Sequence, residues 1–167
     1  RHNIGFNVLD RYAEEKGFHF EDKRYAAVAK YSLKGRQLTF IKPSTLMNRS
    51  GKAVRYWLNK ENLALSQLLI ITDDLNIPFG SLRLKPKGSD GGHNGLKNIN
   101  EQLGTNRYAR LRFGIGAEYP TGQQISYVLS EWSDEENEQL PERLEKCAEM
   151  IDSFALQGLA NTMNQYN

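Results

Sequence analysis

Imidazole has the proton affinity that suits a general base near neutral pH, and His2 stands just ahead of a helical pattern. A histidine in that place can equally cap the helix or sit in solvent. Asp73 follows the apolar run Leu68-Leu69-Ile70-Ile71. In open α/β sheets, groups just past strand C-termini line the ligand crevice. A carboxylate there can orient an imidazole and stabilise its protonated form. Asp73-Asp74 is also followed by Asn76 and Pro78, so one of the pair reads as an ordinary turn aspartate. Asn48 and Asn94 sit in loops just before helices. A neutral amide can donate to a carbonyl oxygen as it becomes negative, although caps and turns use the same residue. Gly91-Gly92-His93-Asn94-Gly95-Leu96-Lys97 follows the basic stretch Lys85 to Asp90. It places flexible backbone at a helix N-terminus, where unpaired N–H groups suit an anion.

Other chemistries lack their residues. His2, His19 and His93 are scattered, without the His-x-x-x-His spacing of a zinc site. The single cysteine, Cys147, lies on an apolar stripe and reads as core; it excludes an internal disulfide and fits a reducing compartment. There is no Gly-x-Ser-x-Gly elbow, no Gly-x-x-x-x-Gly-Lys phosphate loop and no well-placed dinucleotide fingerprint. No apolar run approaches the ~20 residues of a membrane span. A net charge of +2 does not by itself declare a nucleic-acid binder. Its distribution says more, because Arg83, Lys85, Lys87, Lys97, Arg107, Arg110 and Arg112 crowd the middle while acids gather from Asp134 to Glu145. Lys85, Lys87, Arg110 and Arg112 mostly alternate with apolar residues, as on the solvated face of a sheet, from which a few can reach phosphates.

These residues need elements to place them. At 167 residues, 39% hydrophobic and 25% charged, the chain reads as one ordinary globular domain. Ile4, Val8 and Tyr12 share a helical stripe that stops at Gly17. Tyr25 to Leu33 and Leu38 to Ile41, joined by Lys34-Gly35, read as a hairpin that ends at Pro43. Ser50 is placed to cap a helix carrying Ala53, Val54, Trp57 and Leu58. Leu68 to Ile71 reads as a strand buried on both faces, and Leu82 to Lys85 and Leu111 to Ile115 as further strands. Leu96, Ile99 and Leu103 mark a helix ending at Gly104. Gln123 to Leu129 fits a short helix. Ser133-Asp134-Glu135-Glu136 is a capping box, ahead of a stripe from Leu140 through Cys147 to Phe154. Strands mixed with helices predict an α/β domain around one mixed, mostly parallel twisted sheet.

Taken together, the segments resemble bacterial peptidyl-tRNA hydrolase. The strings that carry the resemblance are Arg1 to Gly5, Thr45 to Ala53, Asp73 to Pro78, Gly91 to Lys97 and Arg110 to Gly116, in the family's order and over the whole length. The resemblance implies hydrolysis of the ester joining a peptide to the tRNA 3′ end, by a cytoplasmic monomer without metal or cofactor. It implies that His2 is the catalytic base and Asp73 its partner, and that Asn48 and Asn94 bind the peptide-ester end. Leu46 matches a groove position where the family often has an aromatic residue. Lys85 and Arg112 match positions associated with tRNA phosphate. The family begins with an apolar strand and a Gly-Asn-Pro-Gly turn, neither of which precedes Arg1 here. The expectation is therefore a single domain over 1–167 that is N-terminally incomplete and, without that strand, unstable or prone to borrow one. Two other functions fit the same residues. One is an RNA-binding relative without turnover, the other an esterase or amidase acting on a small substrate.

Overall fold

A computed structural model describes residues 1–167. In chain order the elements are α1 (Ile4–Lys16), β1 (Glu21–Lys23), β2 (Ala26–Leu33), β3 (Arg36–Pro43), α2 (Ser50–Lys60), β4 (Leu69–Asp74), β5 (Leu82–Lys85), α3 (Asn94–Leu103), β6 (Ala109–Gly114), α4 (Gln124–Val128), α5 (Asp134–Gln157) and α6 (Leu159–Tyr166). One unit holds Arg1–Tyr12, Ile71–Leu84 and Leu111–Asn167; the other holds Ala13–Ile70 and Lys85–Arg110. The strands make two three-stranded sheets, ordered β1-β2-β3 and β4-β6-β5, where the sequence reading expects one. The first sheet closes locally. Its pairs are antiparallel, and the β2–β3 turn uses only Lys34 (φ 48°) and Gly35 (φ 83°), whose paired positive φ matches the twist of a tight hairpin.

In the second unit, α2 lays Ala53 and Trp57 against Ala26 and Val28 of β2. Its Val54 and Leu58 join Leu96 and Ile99 of α3 and Tyr108 in a second cluster. The α2–α3 approach is close: Gly51 N donates to Asn98 Oδ1 at 2.8 Å. Ser50 does not cap α2 as expected. It lies inside the helix and its hydroxyl donates to Met47 O at 2.7 Å, because Met47–Arg49 already coils as a 3-10 helix and supplies that carbonyl.

In the first unit, Ile4, Val8 and Tyr12 of α1 are buried, as their spacing predicts, and so are Leu111, Phe113 and Ile115. Ser133 and Glu136 form the expected capping box of α5: Glu136 N donates to Ser133 Oγ, and Ser133 N to Glu136 Oε1. Cys147, Met150 and Ile151 are buried along it. The sequence reading did not anticipate α6, which turns off at Gly158 and is tied back by a Ser153–Thr162 hydroxyl pair at 2.7 Å.

Two strand expectations change. β4 runs on through Thr72, Asp73 and Asp74, and these polar residues are its buried end, whereas Leu69 to Ile71 are only half-buried. Arg110 does not sit on a solvated face. It is fully buried, its guanidinium lies 4.2 Å from the Tyr108 ring centroid, and it donates to Asn106 O at 2.7 Å. β6 is buried along nearly its whole length, so both its faces are covered and alternation no longer separates inside from outside.

Candidate active site

Asp73 is near the C-terminal end of β4, and adjacent strand residues point to opposite faces. The two carboxylates accordingly part. Asp74 takes the turn: its Oδ1 accepts from Asn76 N at 2.8 Å, and its Oδ2 pairs with Arg112 Nη1 at 3.1 Å. Asp73 faces His2 instead. Its Oδ2 lies 2.7 Å from His2 Nδ1, with the aspartate side chain 3% exposed and the imidazole 20% exposed. The acid partner is thus dry while the ring remains accessible. A proton on Nδ1 shared with this carboxylate would leave the ring's basic lone pair on Nε2.

Several local features bring this pair together. The first turn of α1 carries Gly5, where a Cβ would stand 2.7 Å from Ile71 O of β4. Only hydrogen at that position lets the helix approach the strand this closely, and the approach sets His2 beside Asp73. On the other side, His2 N donates to Val128 O at 2.9 Å, and Arg1 N to Ser130 O at 3.0 Å. The Arg1 side chain adds a clamp. It donates to Ser130 Oγ at 2.9 Å, pairs with Glu136 Oε1 at 2.5 Å, and lies 4.4 Å from the Tyr127 and 5.2 Å from the Trp132 ring centroids. Burial pushes the Glu136 carboxyl up. Hydrogen bonds from Ser133 and Arg1 outweigh that and hold it below the ordinary carboxylate range.

The two asparagines lie in the second unit. Asn48 is in the 3-10 helix Met47–Arg49 and Asn94 is the first residue of α3; both are exposed. These elements adjoin, since a Cβ on Gly95 would stand 3.0 Å from Met47 Sδ. Asn94 is not a cap. His93 has that role, its Nδ1 accepting from Gly95 N at 3.0 Å and Leu96 N at 3.2 Å. The Asn94 side chain is therefore not consumed in starting the helix. Leu46 is 70% exposed. Lys85 ends β5 and is exposed, whereas Arg112 is largely covered by its pairing with Asp74.

Reasoning from the sequence missed the work of Arg1, Gly5 and Asp74. The Arg1–Glu136 contact spans 135 positions, and no local pattern signals it. The adjacency of Gly5 to His2 was a usable signal, since glycine inside a helix costs stability and implies a close neighbour.

A family model described as peptidyl-tRNA hydrolase matches residues 1–167. Among curated proteins, the peptidyl-tRNA hydrolase of Phocaeicola vulgatus is 58% identical over 100% of this chain and 89% of that protein. The one from Porphyromonas gingivalis is 52% identical, over 100% and 90%. The crystal structure of a peptidyl-tRNA hydrolase in complex with N-propanol superposes with a TM-score of 0.93 at 27% identity, covering 100% of this chain and 86% of that one. The Acinetobacter baumannii enzyme gives 0.92 at 28%, with the same coverage.

Proposed function

Since the chain belongs to the peptidyl-tRNA hydrolase family, which cleaves peptidyl-tRNA to release tRNA, we propose that His2 is the general base of that hydrolysis and Asp73 its partner. The observation that carries this is the 2.7 Å contact between an accessible imidazole and a buried carboxylate. His2 Nε2 takes a proton from water as its oxygen attacks the ester carbonyl. The bond to the tRNA 3′-terminal oxygen breaks, and the imidazolium returns the proton to that oxygen. The products are free tRNA and a peptide carboxyl group. Asp73 holds the tautomer and stabilises the imidazolium. The amides of Asn48 and Asn94 bind the peptide-ester end of the substrate. Leu46 offers its exposed side chain to the peptide.

Lys85 and Arg112 contact tRNA phosphate. A guanidinium carries five N–H donors, so pairing with Asp74 and touching a phosphate are compatible for Arg112. No helix is long and apolar enough to cross a membrane. The protein acts in the cytoplasm, where its substrate is made, and as a monomer, which light scattering of the purified protein tests.

The decisive experiment is His2→Ala, with hydrolysis and tRNA binding measured separately. Hydrolysis falls by about 10²–10⁴, the usual scale of a general base, while tRNA affinity stays within about twofold, because the base touches no phosphate. Wild-type turnover in this variant removes the assignment.

A further inference from the structure

On the second unit, cations and aromatic rings interleave along α2 and the turn between β1 and β2. Lys52, Tyr56 and Lys60 recur at i, i+4 and i+8 on one face of α2, with Arg24 and Tyr25 beside them. Tyr25 and Tyr56 meet edge-to-face at 5.5 Å, and Tyr56 meets Trp57 the same way at 5.3 Å. Arg24 lies 5.1 Å and 5.3 Å from the Tyr25 and Tyr56 centroids. Lys52 lies 4.8 Å from Tyr25, and Lys60 lies 6.0 Å from Tyr56 and 5.5 Å from Trp57. The three cations are exposed and the two tyrosines half-buried.

The cluster is built rather than incidental. Tyr25 has φ 65°, a left-handed conformation rarely adopted by a bulky residue. Such strain persists where the surroundings over-determine it, and it gathers at functional positions. Here the indole of Trp57 donates to Arg24 O at 2.8 Å, and Ser44 N donates to Tyr25 O at 2.9 Å. Both peptide carbonyls around the strained residue are held, so its ring is presented in one place. Arg24 also donates to the Tyr25 phenol oxygen at 3.2 Å, which lowers the phenol's proton affinity.

We propose that Tyr25 and Tyr56, with Arg24, Lys52 and Lys60, form a surface that stacks unpaired bases of the RNA substrate and neutralises the phosphates beside them. The match is one of chemistry. Every base has a π-face that an aromatic ring accepts whatever the sequence, and each nucleotide adds a phosphate for a mobile cation. The arginine and lysines rest on the rings when no RNA is present and swing to the phosphates when a base takes the ring. An acidic protein would engage the cations but leave the ring faces without a partner. The surface is an addition to the Lys85 and Arg112 contacts and does not depend on the roles of His2 and Asp73.

The test compares two RNAs with the same helical stem, one carrying a single-stranded tail and one blunt, on the full chain. Tyr56→Ala, at a helical position where alanine is well tolerated, weakens binding of the tailed RNA about tenfold, the scale of one stacked base. It leaves the blunt RNA within twofold, and the KM for peptidyl-tRNA rises by a similar factor. Tyr56→Phe, which keeps the ring, binds as wild type. Lys52→Gln combined with Lys60→Gln lowers the slope of log affinity against log salt by about 1.4, at about 0.7 per single-strand phosphate contact. Unchanged tailed-RNA affinity in Tyr56→Ala overturns the proposal. Equal losses for both RNAs overturn it as well, since they mean charge attraction or unfolding instead of stacking. If Tyr56→Ala unfolds, photocrosslinking of a 4-thiouridine tail to the wild-type protein decides: adducts at Tyr25 or Tyr56 support the surface, and adducts only elsewhere remove it.

Discussion

Asp73 and Asp74 are chemically identical neighbours, yet the backbone gives them different tasks. One faces the imidazole and the other closes a turn and holds Arg112. Asp73→Asn keeps the size of the side chain but cannot stabilise imidazolium. Its kcat is expected to fall by about 10²-fold or more, because the wrong ring tautomer is favoured and charge stabilisation is lost. Steady-state kinetics check this, with unchanged thermal stability showing that the loss is chemical. Glu136→Gln is the milder case. It removes the charge that anchors Arg1, loosens the residue beside His2, and is expected to cost about tenfold in kcat through misplacement of the base. Because the Glu136 carboxyl is held low, its stabilising effect is complete above the ordinary carboxylate range and is lost as pH falls through the lowered folded value. Acid unfolding curves of wild type and Glu136→Gln therefore converge at low pH and separate near neutrality.

At the scale of elements, α1 approaches β4 through Gly5. A methyl group there meets the Ile71 carbonyl at 2.7 Å, and backbone cannot step aside as a flexible side chain would. Gly5→Ala is expected to cost about 1–3 kcal/mol, as overpacking does, and to depress kcat further by moving His2 away from Asp73. Urea titration and turnover measured on the same sample separate the two effects. On α5, burial pushes the Cys147 thiol up to about 12. The folded state keeps its proton when the unfolded chain has released it. Stability therefore falls as pH rises from the ordinary thiol range toward the folded value. Cys147→Ala is expected to lose that alkaline slope, which chemical denaturation at pH 8 and pH 10 reads.

For the whole molecule, a net charge of +2 leaves substrate affinity to the placement of cations instead of their sum. Lys85 is exposed, whereas Arg112 is committed to Asp74. Lys85→Ala and Arg112→Ala are both expected to raise KM and reduce its salt dependence, since fewer counterions are released on binding. Only Arg112→Ala should also destabilise the fold, by about 1–3 kcal/mol, because it leaves the Asp74 carboxylate without a charged hydrogen-bond partner. Equal melting temperatures for the two variants would show that the Arg112–Asp74 pair carries no such weight.

Periodicity and turn chemistry are local, and they placed the hairpin around Lys34-Gly35, the helix marked by Leu96, Ile99 and Leu103 that ends at Gly104, and the capping box at Ser133. The resemblance in five ordered strings likewise pointed to the family. The same local reasoning misassigned Ser50 as a cap residue and put Asn94 in the loop before its helix, because a cap depends on which neighbouring residue reaches the first free N–H. It put Arg110 in solvent, because burial on both faces is a property of the packed sheet and not of the strand. It also could not choose between Asp73 and Asp74. Two adjacent carboxylates are equivalent along the chain, and they became different only when the pleat of β4 turned one toward His2, 71 positions away, and the other toward Arg112.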